Sequence, residues 1–407
     1  MDTTSPVTPS TDFYFNPWDE DFRANPYPHY KALLSGPPRI LNLGIEAALI
    51  ARYDDVRALL LDHANFSSVQ LKNPALDEQN NLFGDTPTVL FSDPPVHTRL
   101  RRLVSRDFTP RRIREMEPRI REMTAELLDA AARRGSLEVM ADVANALPVM
   151  VIAEMLGVPR EQYQTFKRWS DKVIESDNVP PGFPMPDEIK TAFAELQQYF
   201  ANEIERRRAN PGPDLVSALV AAHEHDSENL SADELLQFLV LLLLAGNETT
   251  TNLIGNGMLA LGRHPEQMAM LRAKPELMPR AVEEMLRYDG PVQSTGRTVV
   301  RDTMVGGTMV KANSMAFVIL AAANRDPAHF SDPEKFDITR DPNDHVAFGE
   351  GIHFCLGAGL ARLEGSIAIG MMLSKFPRLR IAKPEAPLTY KGSYFLRGLS
   401  RLEMAID

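Results

Sequence analysis

The only cysteine of this chain, Cys355, lies in a glycine-rich segment, FGEGIHFCLGAG (residues 348–359), whose thiolate could bind a metal or act as a nucleophile. The residues that follow have helical periodicity, which predicts Cys355 at or just before a helix N-terminus, where the thiolate is favoured. Glycines at 349, 351 and 357 remove side chains around the sulfur, so a large flat group could approach the backbone. A nucleophile would also need a base, and His353 leaves both kinds of chemistry open.

A second segment, SADELLQFLVLLLLAGNETTTNLIGNGMLALGR (residues 231–263), predicts a long buried helix. It opens with Ser231 and Glu234 at capping-box spacing and is then apolar on all sides for several turns. The pattern breaks in the middle with a weak helix former, an amide, an acid and two hydroxyls: Gly246, Asn247, Glu248, Thr249 and Thr250. A buried polar cluster would explain this break structurally, but such a local exception within a strong pattern usually marks a functional site.

Charged residues at helical spacing form two further patterns. Glu284 and Arg287 are one turn apart and can pair, which by itself is typical of an ordinary surface ion pair. His97 and Arg101 share one face of a predicted helix.

The pattern Phe348-x-x-Gly351-x-His353-x-Cys355-x-Gly357 resembles the haem-ligand loop of the cytochrome P450 family. The pattern Ala245-Gly246-x-Glu248-Thr249-Thr250 resembles that family's oxygen-activating motif, in which the long helix loosens over the haem. The resemblance runs from about residue 25 to the C-terminus. It implies that Cys355 is the axial ligand of a thiolate-ligated haem b (iron protoporphyrin IX), whose iron receives electron density that favours O–O cleavage.

The resemblance also implies roles for individual residues. Glu248 and Thr249 match the catalytic acid–alcohol pair that relays protons. The expected cofactor-binding residues are His97, Arg101, Ala245, Gly246, Arg297, Phe348, Gly349, His353, Cys355 and Gly357. The expected substrate-pocket residues are Leu241, Leu244, Ala245, Val292, Thr295, Phe395 and Leu396, within broader stretches at 65–92, 241–246, 292–295 and 394–396. Glu284, Arg287 and Arg340 match a structural scaffold behind the haem.

The function implied is that of a soluble bacterial-type haem-thiolate monooxygenase. It would take two electrons from a ferredoxin or flavodoxin-type donor with its NAD(P)H reductase, and would use O2 to hydroxylate or epoxidise an apolar small molecule. A fatty acid, terpenoid, steroid or macrolide-like compound would suit a mostly apolar pocket. Two alternatives are a non-oxygenating haem-thiolate protein (a sensor or a peroxide-dependent enzyme) and, more remotely, a cysteine hydrolase.

The resemblance implies a mainly α fold, with a large helical lobe, a small β-rich lobe and the haem between the long central helix and the cysteine loop. Helices are predicted over 111–134, 148–156 and 190–208, strands near 38–53 and 298–320, and a loop over 178–188. We expect one domain over 1–407, with about 1–15 as a flexible segment. A single cysteine fits a reducing compartment, and the acidic N-terminus is unlike a signal peptide, so we expect a cytoplasmic monomer without a membrane anchor.

The net charge of −11 argues against nucleic acid as a partner. One stretch, residues 99–114, instead carries seven arginines and one acid. It is either a solvated helical face or a docking patch for an acidic electron donor, with Arg99, Arg102, Arg106 and Arg111 as the candidate contacts.

Overall fold

The computed structural model describes residues 15–42, 46–69, 82, 84–179, 184–225, 230–391 and 395–407. The segment expected to be flexible, 1–15, lies outside these residues except for its last position. The α-helices are α1 Glu20–Ala24, α2 Tyr27–Leu34, α3 Tyr53–Leu61, α4 Val96–Val104, α5 Pro110–Arg134, α6 Leu147–Met155, α7 Tyr163–Ile174, α8 Asp187–Ala209, α9 Leu215–His225, α10 Ala232–Arg263, α11 Pro265–Ala273, α12 Met278–Asp289, α13 Leu320–Ala323 and α14 Ala358–Lys375. Short 3-10 helices cover Ser105–Phe108, Arg160–Gln162, Glu175–Asn178, Pro275–Leu277 and Gly351–His353, and a π-helical turn covers Met140–Ala144.

Strands form a small part of the described chain. They are β1 Arg39–Asn42, β2 Glu46–Ile50, β3 Phe66–Ser67, β4 Leu137–Glu138, β5 Thr295–Val299, β6 Thr303–Val305, β7 Thr308–Val310, β8 Met315–Val318, β9 Arg380–Ile381 and β10 Glu403–Ala405. The main sheet has the order β1-β2-β8-β5-β3, with β2 and β8 parallel and the other pairs antiparallel. Helices with a small β-rich part are the fold class that the sequence predicts.

The predicted helices are confirmed with small shifts at their ends. Helix α5 ends at Arg134, and its C-cap Gly135 adopts a left-handed conformation (φ 77°) that glycine tolerates best. Helix α6 begins at Leu147, so Pro148 is its second residue and not its first. The predicted loop at 178–188 is too long at its C-terminal end, because α8 begins at Asp187, and residues 180–183 lie outside the described residues. The Gly306–Gly307 turn joins β6 to β7 with two positive φ angles, as a tight hairpin requires.

The central helix α10 has the predicted capping box, in which Ser231 and Glu234 satisfy each other's backbone N–H groups. By length and composition it is apolar enough to cross a bilayer, but 78% of that stretch is buried inside the fold. It packs against α6, α7, α8, α12 and α14. The helix is therefore the core element around which the helical part assembles.

Glu284, Arg287 and Arg340 form one buried cluster behind the cysteine loop. Arg287 donates to both Glu284 carboxylate oxygens at 2.8 and 2.9 Å, and Arg340 Nε lies 3.1 Å from one of them. The Glu284 and Arg287 side chains are fully buried. Arg287 also donates to the carbonyls of residues 324, 333 and 335. The pair that sequence spacing alone would place on the surface therefore holds the loop before the cysteine segment.

Replacing Glu284 with Gln should destabilise the folded protein by about 3–5 kcal/mol, because two arginines then lose their buried counter-charge. Denaturant unfolding followed by circular dichroism measures this change. Glu115→Gln is the matched control, since Glu115 forms an exposed pair with Arg111 and should change stability very little. Equal stability of the Glu284 variant and this control would show that the cluster is not needed for the fold.

Candidate active site

The cysteine loop, residues 348–357, is closed by its own backbone. The N–H of Cys355 donates to the Phe348 carbonyl at 2.9 Å, and Gly349 and Gly351 have φ angles of 69° and 72°. Other residues rarely adopt such angles, so these two glycines are required by the loop's conformation. The Phe348 ring lies under the Arg362 guanidinium, 4.5 Å from its centroid.

The sulfur of Cys355 lies two residues before the N-cap of α14, as predicted. Burial raises the pKa of the Cys355 thiol, while the Gly357 N–H, Arg101, Arg362 and the Ala358 N–H oppose that rise. A side chain at Gly357 would meet open space, and its φ of −84° suits any residue. Neither backbone conformation nor protein packing therefore explains this glycine, which leaves room for a group outside the chain.

Four basic side chains from three parts of the chain gather beside the loop: His97, Arg101, Arg297 and His353. The His97 and His353 rings have centroids 4.2 Å apart. Arg101 donates to the Phe354 carbonyl at 2.7 Å, and Arg297 donates to the Gly296 carbonyl at 2.7 Å.

This basic cluster lacks enough negative charge. Burial, His97 and Arg297 lower the pKa of His353 to about 3, and burial and Arg101 lower that of His97. The negative charge of Asp93 acts in the opposite direction and raises the pKa values of His353 and Arg297. His97 is 2% exposed, and neither of its ring nitrogens has a hydrogen-bond partner among the described residues. An anionic group would relieve both the crowding of positive charge and this unsatisfied imidazole.

Two residues beside this cluster, Ser68 and Asp93, were not among the predicted cofactor contacts. Ser68 Oγ lies 2.9 Å from His353 Nε2, and Asp93 accepts the Ser68 N–H at 2.9 Å. Neither residue belongs to a recognisable motif, and Ser68 lies 285 positions from His353 in the chain. No local pattern could have revealed them.

The central helix α10 is accessible at one short stretch between residues 237 and 261, which we call the accessible window. From residue 237 to residue 261 every side chain of α10 is buried except those at four positions: Leu244, Ala245, Gly246 and Thr249. Thr249 donates its hydroxyl to the Ala245 carbonyl at 2.8 Å, which leaves its oxygen lone pairs available. The accessible positions include two of the predicted cofactor contacts and the predicted catalytic alcohol.

One expectation about this part of α10 needs correction, and Gly246 has a packing role that was not predicted. The helix is continuous from Ala232 to Arg263 and does not loosen at the motif. A side chain on Gly246 would come within 2.8 Å of Ile152, so this glycine is required for packing against α6. Its small size therefore serves helix contact, in addition to any role beside a cofactor.

Glu248 is buried and does not contact Thr249 in the described structure. Its carboxylate accepts from Lys391 Nζ at 2.9 and 3.2 Å. The acid and the alcohol of the predicted pair are thus adjacent in sequence but have different partners. Lys391 was absent from the sequence prediction.

The structure brings some of the remaining substrate-pocket candidates close to one another. Val292 and Leu396 form a β-bridge, and the Gln293 N–H donates to the Phe395 carbonyl at 2.7 Å. Thr295 begins β5, while Leu241 is buried in α10 and Leu244 lies in the accessible window. Residue 394 and most of 70–83 in the 65–92 stretch lie outside the described residues.

A depression of about 600 Å³ lies beside Cys355 on the side formed by α5, α12 and α14. No residue of α10 lines it, so it is distinct from the accessible window of the central helix. Three cations line it, Arg101, Arg114 and Arg362, the last paired with Glu283 at 2.7 Å.

The arginine-rich stretch divides into bound and exposed members. Arg99 was expected to face a partner, but it binds both oxygens of Glu234 at 2.5 and 3.0 Å and so joins α4 to the start of α10. Arg111 pairs with Glu115 at 3.0 Å. Arg102 and Arg106 are exposed and flank residues of the depression.

Comparison with known proteins identifies the class. A family model described as Cytochrome P450 matches residues 38–396. The chain is 42% identical to cytochrome P450 monooxygenase PikC of Streptomyces venezuelae, over 94% of this chain and 91% of that protein. It is 41% identical to the vitamin D(3) 25-hydroxylase of Pseudonocardia autotrophica, over 95% and 94%. The crystal structure of CYP109E1 from Bacillus megaterium in complex with testosterone superimposes with a TM-score of 0.86 at 34% identity, covering 96% of this chain and all of that one.

The chain therefore belongs to the cytochrome P450 family, and it is a haem-iron monooxygenase of the bacterial type. This family binds haem b through a cysteine thiolate, and the residues present here fit that group. The unsatisfied His97, the crowded cations and the open space at Gly357 suit a flat ligand with two carboxylates. A cysteine hydrolase is the wrong alternative.

His97→Ala should speed haem loss about 10–100-fold, because a hydrogen bond to a charged propionate is worth about 1.5–3 kcal/mol. Transfer of haem to excess apomyoglobin, followed by absorbance, measures this rate. His225→Ala is the control, since His225 is an exposed residue at the end of α9. An unchanged rate in the His97 variant would remove His97 from the propionate site.

Proposed function

We propose that this monooxygenase hydroxylates an apolar small molecule in the bacterial cytoplasm, as a one-domain monomer served by a separate electron-donor protein. The observation that carries this proposal is the accessible window in α10, where a single hydroxyl, that of Thr249, lies among apolar positions of an otherwise buried helix. Such a surface can hold an apolar substrate while offering one proton donor. The bacterial relatives and the single cysteine support the compartment.

The residues have distinct parts in this proposal. Cys355 provides the thiolate, and the basic cluster of His97, Arg101, Arg297 and His353 holds the propionates. Haem b bound here would supply reductive activation of dioxygen, which thiolate ligation favours. Thr249 accepts and passes a proton at its Oγ1 within the window, and Glu248 supplies that proton from the buried side of the helix.

The proposed substrate is a steroid-like or secosteroid-like molecule. The pocket candidates that the β-bridge at 292 and 396 brings together are apolar, and the accessible positions of α10 carry no charge. A relative named for vitamin D(3) hydroxylation and a solved structure holding testosterone support this class. A spectral-shift screen of steroids, terpenoids, macrolides and fatty acids tests it, with the tightest shift expected for the first group.

Cys355→His should retain haem but lose hydroxylation, because an imidazole cannot give the thiolate's electron donation. The CO-bound reduced spectrum reports the ligand, and product analysis with NADH and redox partners reports the activity. Hydroxylation at the wild-type rate by this variant would overturn the axial-ligand assignment. A thiolate-type spectrum with no NADH-driven product from the wild type would instead favour a sensor or a peroxide-dependent enzyme.

We also propose that an acidic ferredoxin docks on the depression beside Cys355. Its lining cations are Arg101 and Arg114, and the exposed Arg102 and Arg106 directly follow the lining residues Arg101 and Ser105 in the chain, so positive charge is concentrated here on an otherwise acidic protein. Such complementarity speeds encounter more than it strengthens the complex. No residue of α10 lines the depression, so a partner bound there would leave the accessible window free.

Charge reversal of Arg102 and Arg106 to Glu should slow ferredoxin-driven reduction about tenfold at low salt and flatten its salt dependence. Stopped-flow reduction at several ionic strengths measures both effects. Reversal of Arg206 and Arg208, which lie in the last turn of α8, makes the same change in net charge and should have little effect. Identical kinetics in the two double variants would place the docking surface elsewhere.

A further inference from the structure

We propose that Lys391 is a positioning residue for proton delivery, holding the Glu248 carboxylate on the solvent-connected side of α10 until it carries a proton toward Thr249. The inference rests on the proposed function, since it assigns a new residue to the same proton path. Lys391 lies 143 positions from Glu248 in the chain, and no motif includes it.

Helical geometry determines the side of α10 on which Glu248 lies. Glu248, Asn252 and Asn256 are spaced by four residues and lie on one face of α10, and all three are buried. Thr249 is turned from that face by about 100° and lies with Ala245 in the accessible window. The acid and the alcohol therefore begin on different sides of the helix.

The polar face of α10 is covered by the C-terminal part of the chain. Asn256 Nδ2 donates to the Arg397 carbonyl at 3.0 Å. Gly398 lies so close that a side chain there would overlap the Asn252 amide, at 1.8 Å. The Lys391 N–H donates to the Gly398 carbonyl at 2.9 Å, and the neighbouring residues 390 and 399 form a β-bridge. This backbone contact with the helix is what brings Lys391 to Glu248.

The Glu248–Lys391 ion pair is buried at its carboxylate and partly exposed at its ammonium. The Glu248 side chain is 5% exposed, so its carboxylate needs a counter-charge, and Lys391 Nζ supplies it with two short contacts. The Lys391 side chain is 32% exposed, so solvent reaches the same ion pair. The pair therefore joins bulk water to a buried carboxylate that lies one residue from the proposed proton donor.

The proton balance of this step is simple. A proton from water neutralises the Glu248 carboxylate, which ends its charge attraction to the ammonium of Lys391 and frees the side chain to rotate. Glu248 then gives that proton to the Thr249 side and, as an anion again, returns to Lys391. One proton moves from solvent into the window, and no electron is transferred.

The first test compares product formed per NADH consumed in Lys391→Met, Lys391→Arg and wild type. The Met variant should lose coupling several-fold and release hydrogen peroxide, as Thr249→Ala should, because an ordered proton path is broken in both. The Arg variant should restore most of the coupling. Lys375→Met is the matched control, since Lys375 is 34% exposed and pairs with Asp129 at 2.5 Å on the surface. Wild-type coupling in Lys391→Met would overturn the proposal.

The second test needs no turnover. Reductive methylation followed by mass spectrometry should label Lys391 several-fold faster in Glu248→Gln than in wild type, while Lys375 labels equally in both. Equal labelling of Lys391 in the two proteins would show that the ion pair does not form, whatever the enzyme's activity. If wild type gives no product with any donor, the proposed function fails, and this labelling result still decides whether Glu248 is held by Lys391.

Discussion

The structure depends on one constraint. The central helix α10 is buried in an apolar core, yet several of its side chains are polar and need hydrogen-bond partners there. Each buried polar group of α10 needs a partner or it costs free energy. Asn247 binds Ser170, Thr251 binds the Ala144 carbonyl, and Asn256 binds the backbone at residues 289 and 397. These contacts hold the surrounding elements in fixed positions on the helix. Asn252 is an exception on the buried side of the helix, because neither atom of its amide has a hydrogen-bond partner among the described residues.

The same reasoning applies to the basic cluster. His97, Arg101, Arg297 and His353 converge from α4, β5 and the cysteine loop, and burial together with the neighbouring basic groups disfavours the charged form of both imidazoles. In the proposed assignment, the two propionates of the haem would bring negative charge to this place. Part of the protein's stability is therefore ligand binding free energy, which the polypeptide alone does not have.

The sequence predicted the elements whose signals are local. The capping box at Ser231 and Glu234, the extent of α10 and the position of Cys355 before a helix all rest on neighbouring residues, and all are confirmed. Contacts between distant residues were not predictable. Arg99 appeared to belong to a surface patch, but its partner Glu234 lies 135 positions away. Lys391 has no pattern of its own, and its importance comes only from the residue it meets.

Gly246 shows a different limit of sequence reasoning. Its place in a recognisable motif indicated a role beside the cofactor, whereas its immediate neighbour is the Ile152 side chain of α6. Both constraints can act on one position, because a residue without a side chain allows close approach on every side. A motif identifies the position but does not reveal which neighbour requires it.

The bidentate pair between Arg99 and Glu234 gives α4 two attachments. One face of this helix carries His97 and Arg101, the proposed propionate contacts, and Arg99 binds Glu234 in the first turn of the central helix. A displacement of α4 would therefore move both the proposed propionate contacts and the residue that binds the start of α10. The first turn of the central helix and the helix that carries His97 and Arg101 are thus mechanically coupled, although 135 positions of the chain separate Arg99 from Glu234.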